Sequence, residues 1–165
     1  MAVFTPNCAN IGTMVFGILW AGGVVCPINN LSNAEELTSY LKSSGAKGLT
    51  THVSCLGVAQ EAASAAGLPL DRIVLVGEPR LDAGAKHFSS WPSIATEVEK
   101  VSINPKDDLA FLVYSSGTTG LPKGVMLSHE NMVVNTLQNN TMDEGNTKWN
   151  IDRTISFLPM YHIYG

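Results

Sequence analysis

Residues 112–125 read LVYSSGTTGLPKGV, an apolar run that breaks into a loop of small and hydroxylated residues. The apolar run at residues 109–114 has the character of a buried strand. It gives way abruptly to Ser115, Ser116, Gly117, Thr118, Thr119, Gly120, Leu121, Pro122, Lys123 and Gly124. Four hydroxyls, three glycines and one lysine packed this closely contribute little to a hydrophobic core. They suit a loop that holds a phosphate. Glycines let the backbone approach a ligand closely, and the free N–H groups of such a loop form a concave anion site. Hydroxyls add neutral donors, and a lysine adds a mobile point charge.

Two familiar phosphate loops do not fit. The Walker pattern requires glycine directly before the lysine and Ser or Thr directly after it, whereas Pro122 and Gly124 stand there. The dinucleotide fingerprint requires G-x-G-x-x-G, which the stretch lacks. A plain surface turn between two strands would also use Gly, Ser and Thr, but it has no need of so many hydroxyls beside a lysine.

Working outward, the upstream sequence alternates helical and strand-like segments. Pro6-Asn7 opens a helix expected to run to Ala21, with Asn7 as cap candidate, and Gly22-Gly23 stops it. Residues 24–28 read as a short buried strand. Ser32-Asn33-Ala34-Glu35 has the form of a capping box, opening a helix that Gly45 ends. A strand at 47–51, an alanine-rich helix at 54–66 and a third strand at 72–77 complete a β-α-β-α-β rhythm, which implies a parallel sheet covered by helices. Residues 78–108 read as a long excursion with one short helical turn at 94–99. Downstream, residues 128–131 start a further helix, residues 139–150 are polar and exposed, and residues 153–158 form a last strand. Pro159 then leads into Met160, Tyr161, His162, Ile163 and Tyr164.

Composition narrows the class. The 165 residues are 45% hydrophobic and 15% charged, a globular composition. Net charge is −4 with no lysine or arginine cluster, which argues against nucleic acid as a partner. Cys8, Cys26 and Cys55 are scattered and read as reduced thiols rather than a disulfide frame or zinc site. The four histidines show no metal-ligand spacing. Residues 11–28 carry no charge, but glycines divide the run into a helix and a strand, so no membrane span is expected. The glycosylation patterns at Asn30 and Asn139 read as chance matches.

The sequence YSSGTTGLPKGVMLSHEN resembles the phosphate-binding loop of the adenylate-forming (AMP-binding) enzymes, and FLPMYHIYG resembles that family's next motif, an aromatic and histidine segment beside the acyl site. Order and separation agree, the upstream AGGVVCPINNLSNAEELTSYLKSSGAKGLTT shows the same pattern, and the wording PMYHIYG is nearest the 4-coumarate:CoA ligase-like branch. The resemblance implies an α/β fold, part of the large amino-terminal domain, mostly parallel sheet flanked by helices. It implies an ATP-dependent acid–thiol ligase that makes an acyl-adenylate and passes the acyl group to coenzyme A, with Mg2+ held mostly by residues outside this chain. Ser115, Ser116, Gly117, Thr118, Thr119, Gly120 and Lys123 would bind ATP.

His162 alone reads as a packed histidine at a strand end. By the resemblance it is the substrate-side, catalytic histidine, and Tyr164 lines the acyl pocket. His129 and Glu130 read as helix capping and solvated surface. The expected domain is 1–165, a partial adenylation domain cut at both ends, with the loop at 112–125. The expected partner is a small carboxylic acid, aryl acids ahead of fatty acids, and the expected location is cytoplasmic or peroxisomal. The competing reading is a non-catalytic remnant with weak nucleotide binding.

Overall fold

The computed structural model describes residues 1–79, 84–90, 101–115, 122–143, 146–148, 150–153 and 155–162. Strand β1 (Ala2–Phe4) leads through helix α1 (Ile11–Trp20) to β2 (Cys26–Pro27), and helix α2 (Ala34–Ser44) leads on to β3 (Leu49–His52). Helix α3 (Leu56–Ala66) joins β3 to β4 (Ile73–Val76), and β5 (Lys86–His87) closes this half. The five strands are parallel, in the order β2-β1-β3-β4-β5. Strands β6 (Leu109–Ser115) and β7 (Lys123–Ser128) form an antiparallel hairpin, followed by helix α4 (His129–Met142).

The hairpin continues the parallel sheet. Val25 N–H donates to the Ala110 carbonyl and Leu112 N–H donates to the Val25 carbonyl, both at 2.9 Å. This is a parallel bridge between Val25 and Phe111. Side-chain alternation agrees. Ala2, Phe4, Cys26 and Ile28 sit in the main core, with Leu112 and Tyr114 packed against it. Val3, Val25, Phe111 and Val113 instead line a cavity beside α1. One pleat with period two therefore runs through β1, β2 and β6.

Helices cover both faces. Leu37 and Leu41 of α2 and Ala59, Ala62 and Ala63 of α3 pack with Leu49, Ile73 and Leu75 in the main core. Alanines on α3 let it lie close to the sheet. On the opposite face Ile11 and Met14 of α1 meet Val76, with Phe88 beside them. Several large apolar side chains are exposed, among them Phe16 and Trp20 on α1, Val133 and Leu137 on α4, and Ile155 and Phe157. No described helix is long and apolar enough to cross a membrane.

Most of the expected rhythm is present, with corrections at the edges. Helix α1 starts at Ile11 with Asn10 in the cap position and no side-chain cap bond, and the Asn7 amide expected to cap it is instead bonded to Leu158 and Met160. The capping box of α2 is Asn33 with Glu36, one residue later than expected. Ser32 is instead buried in the preceding turn, its N–H bonded to the Asn29 carbonyl. Strands β1, β5 and β7 were not anticipated; β1 and β5 are too short to carry a pattern. Helix α4 reaches Met142 inside the segment expected to be merely polar. No strand is present among the described residues of 153–158, where Ile155 and Phe157 face solvent without a ladder partner. The helical turn expected at 94–99 lies outside the described residues.

Gly45 ends α2 at φ +61 with open space around it, and Gly77 follows β4 at φ +92 against the His52 imidazole. Gly45→Ala is expected to cost about 1–2 kcal/mol in chemical denaturation. Gly77→Ala should cost more, because its methyl meets the His52 ring. The excess should shrink in a His52→Ala background, the sign of a shared contact.

Candidate functional site

The parallel sheet fixes where the site lies. Ligands of open α/β sheets bind beyond the carboxyl ends of the strands. Because β6 runs parallel to β2, Ser115 emerges at that end, near Thr5 after β1 and Asn29 after β2. Ser115 and Lys123 are the last paired residues of the hairpin, so both stand at the base of the loop between them. Ser115 Oγ lies 3.5 Å from the Lys123 carbonyl. Of the expected loop residues, Ser116, Gly117, Thr118, Thr119 and Gly120 lie outside the described residues, as does Tyr164.

The loop strand is braced from the main-core side. The Tyr114 ring lies 4.7 Å from that of Tyr40, tilted by 57°. The Tyr114 hydroxyl is 2.6 Å from Ser43 Oγ on α2. Burial, and next the Glu36 carboxylate, push the Tyr40 phenol above its ordinary pKa, so it stays neutral. The sequence motifs single out neither Tyr40 nor Ser43. A tyrosine on α2 and another at the end of an apolar strand were the available signal.

Two adjoining cavities occupy this end of the sheet. One, of about 540 Å³, has Asn29, Tyr40, Tyr114, Ser115 and His162 among its walls. The other, of about 360 Å³, lies between the sheet and α1 and includes Thr5, Phe111, Met132 and His162. Pro27, Val113, Tyr161 and His162 border both. His162, well beyond the loop in sequence, thus shares a cavity with Ser115.

Pro27 explains the opening. Along β2, Val25 N–H points to β6, while Cys26 and Ile28 N–H point to the Met1 and Val3 carbonyls. The next donor toward β6 would come from residue 27, and proline has none. The ladder between β2 and β6 therefore stops after Val25, and the strands part where the cavities begin. Among the described residues no cluster of three His, Cys, Asp or Glu could hold a metal ion.

A family model described as AMP-binding enzyme matches residues 1–165. The chain belongs to the AMP-binding enzyme family. A 4-coumarate–CoA ligase-like protein of Arabidopsis thaliana is 31% identical over 170 residues, covering 100% of this chain and 29% of its own length. The acyl-CoA ligase AFT1-1 of Alternaria alternata is 30% identical over 179 residues, covering 99% of this chain and 30% of its own. Among solved structures, a long-chain-fatty-acid–CoA ligase from Archaeoglobus fulgidus superposes with a TM-score of 0.79 at 28% identity, over 98% of this chain and 30% of that one. ATP-bound MatB from Rhodopseudomonas palustris gives a TM-score of 0.71 at 28% identity, over 99% of this chain and 31% of that one. The chain thus spans about 30% of the length of these relatives.

Thr5, buried at 2% exposure, has no hydrogen-bond partner for its hydroxyl among the described residues. An unpaired buried hydroxyl costs about 1–3 kcal/mol. Thr5→Val keeps the shape and removes the hydroxyl, so the thermal midpoint should hold or rise. A clear drop would assign the hydroxyl a bond in the folded protein.

Proposed function

We propose that these residues are the phosphate-loop part of an ATP-dependent acid–thiol ligase. The observation that carries the reading is the shared cavity, in which the base of a hydroxyl- and glycine-rich loop and a histidine meet at the carboxyl end of a parallel sheet. Residues 112–125 would be the phosphate-binding loop of a longer adenylation domain that includes residues 1–165.

In the first half-reaction the substrate carboxylate attacks the α-phosphorus of ATP, and pyrophosphate leaves. Both reactants are anions, so the work lies in holding charge and aligning the attack. The loop, with Ser115, Ser116, Gly117, Thr118, Thr119, Gly120 and Lys123, would grip the β- and γ-phosphates. His162 would stand on the acid side as the catalytic histidine, with Tyr164 beside the acyl group. In the second half-reaction the thiol of coenzyme A attacks the acyl carbonyl, and AMP leaves. Mg2+ would arrive on the ATP, and no step is assigned to a metal held by the described residues. The names of the relatives favour an aryl or acyl carboxylic acid as substrate. A cytoplasmic location fits the three free cysteines, and a peroxisomal one would suit the same chemistry.

Lys123→Ala removes a charged phosphate contact worth about 1.5–3 kcal/mol. In ATP–pyrophosphate exchange on the native-length protein, kcat/KM for ATP should fall about ten- to a hundredfold. Equal values for both versions would remove Lys123 from the phosphate site.

A further inference from the structure

We propose that Asn7 is the positioning residue for His162, a role resting on the ligase reading only for what His162 does. The Asn7 side-chain amide donates from Nδ2 to the Leu158 carbonyl at 2.7 Å and accepts at Oδ1 from the Met160 N–H at 2.8 Å. Its partners belong to residues i and i+2, so one carboxamide supplies the donor and acceptor that a neighbouring strand would otherwise provide. Met160 is followed by a tight turn in which His162 N–H donates to the Pro159 carbonyl at 3.0 Å. The hold on residues 158–160 therefore passes within one turn to Tyr161 and His162.

The residues just before the clamp are open to solvent. Ile155 is 84% exposed and Phe157 79%, and among the described residues no sheet partner runs beside them. Asn7, by contrast, stands on firm ground. It follows Phe4 and Thr5, both buried, and precedes Cys8, which packs against Ile11 and Met14. The clamp ties the His162 side of the site to the chain just after β1. Because Asn7 is itself exposed, its role is to set a position rather than to add core stability.

Amide exchange followed by NMR on the unmodified 165-residue chain tests the clamp without turnover. The Met160 amide should exchange about tenfold more slowly than an unprotected one. Asn7→Ala should abolish that protection and move the His162 ring signals, with the α2 and α3 amides and the His52 and His87 rings unchanged. Asn7→Asp keeps the acceptor for the Met160 N–H but sets a second carboxylate oxygen against the Leu158 carbonyl, so Met160 protection should fall while staying above that of Asn7→Ala. An unprotected Met160 amide in the unmodified chain overturns the proposal, as does protection that survives Asn7→Ala. Should Asn7→Ala fail to fold, the unmodified chain and Asn7→Asp decide. In the native-length protein, Asn7→Ala should raise KM for the acid and leave KM for ATP in place. If the exchange results hold while pyrophosphate exchange is absent, the ligase reading fails and the clamp stands.

Discussion

The parallel bridge between Val25 and Phe111 is the interaction on which the rest of the structure depends. Two backbone hydrogen bonds at 2.9 Å join the hairpin to the parallel sheet. Without them β6 would have only β7 as a partner, and an isolated two-stranded hairpin is marginal in water. The same bridge sets direction. A strand parallel to β2 must release its loop at the carboxyl end, where helices connecting parallel strands leave room for ligands. A strand joined antiparallel would have aimed the glycines and hydroxyls at the opposite end, away from Thr5, Asn29 and His162.

That the bridge is short matters as much as that it exists. Pro27 withholds the next donor, so β2 and β6 can part immediately after Val25. On one side of the parting, Val113 and Pro27 face the space under α1. On the other, Tyr114 is held by Tyr40 and Ser43 on α2, next to the end of the strand at Ser115. The cavity is thus opened by a missing hydrogen bond and kept in register by an aromatic contact. A fully paired ladder at this point would have closed the wall through which His162 reaches the loop base.

Legibility in the sequence followed the range of the interactions. The α/β class, the helices ended by Gly45 and Gly67 and the buried strand at 73–76 were all readable, because glycine stops and β-branched runs act within a few residues. The short strands β1 and β5 were not, since two or three residues carry no period and their pairing comes entirely from neighbours. The capping box slipped by one residue because Ser32 and Asn33 are both good caps, and burial of Ser32 chose between them. The apolar strand that leads to Ser115 was legible as well. The cavity that brings His162 to it was not, because it rests on a proline's missing donor and a tyrosine pair some seventy residues apart.

Asn7 shows the same limit most sharply. A local rule makes asparagine before an apolar run a helix cap, and that rule is sound where the side chain has nothing better to bind. Here two backbone groups some 150 residues away, the Leu158 carbonyl and the Met160 N–H, are offered together. One carboxamide that satisfies both makes two bonds where a cap makes one, while helix α1 begins after Asn10 without a side-chain cap. The cost to the helix is small, because α1 draws its stability from Ile11 and Met14 packed on the sheet rather than from its first turn. The consequence for the site is larger. The segment that carries Tyr161 and His162 acquires a fixed point just after β1, at the carboxyl edge where β6 also ends.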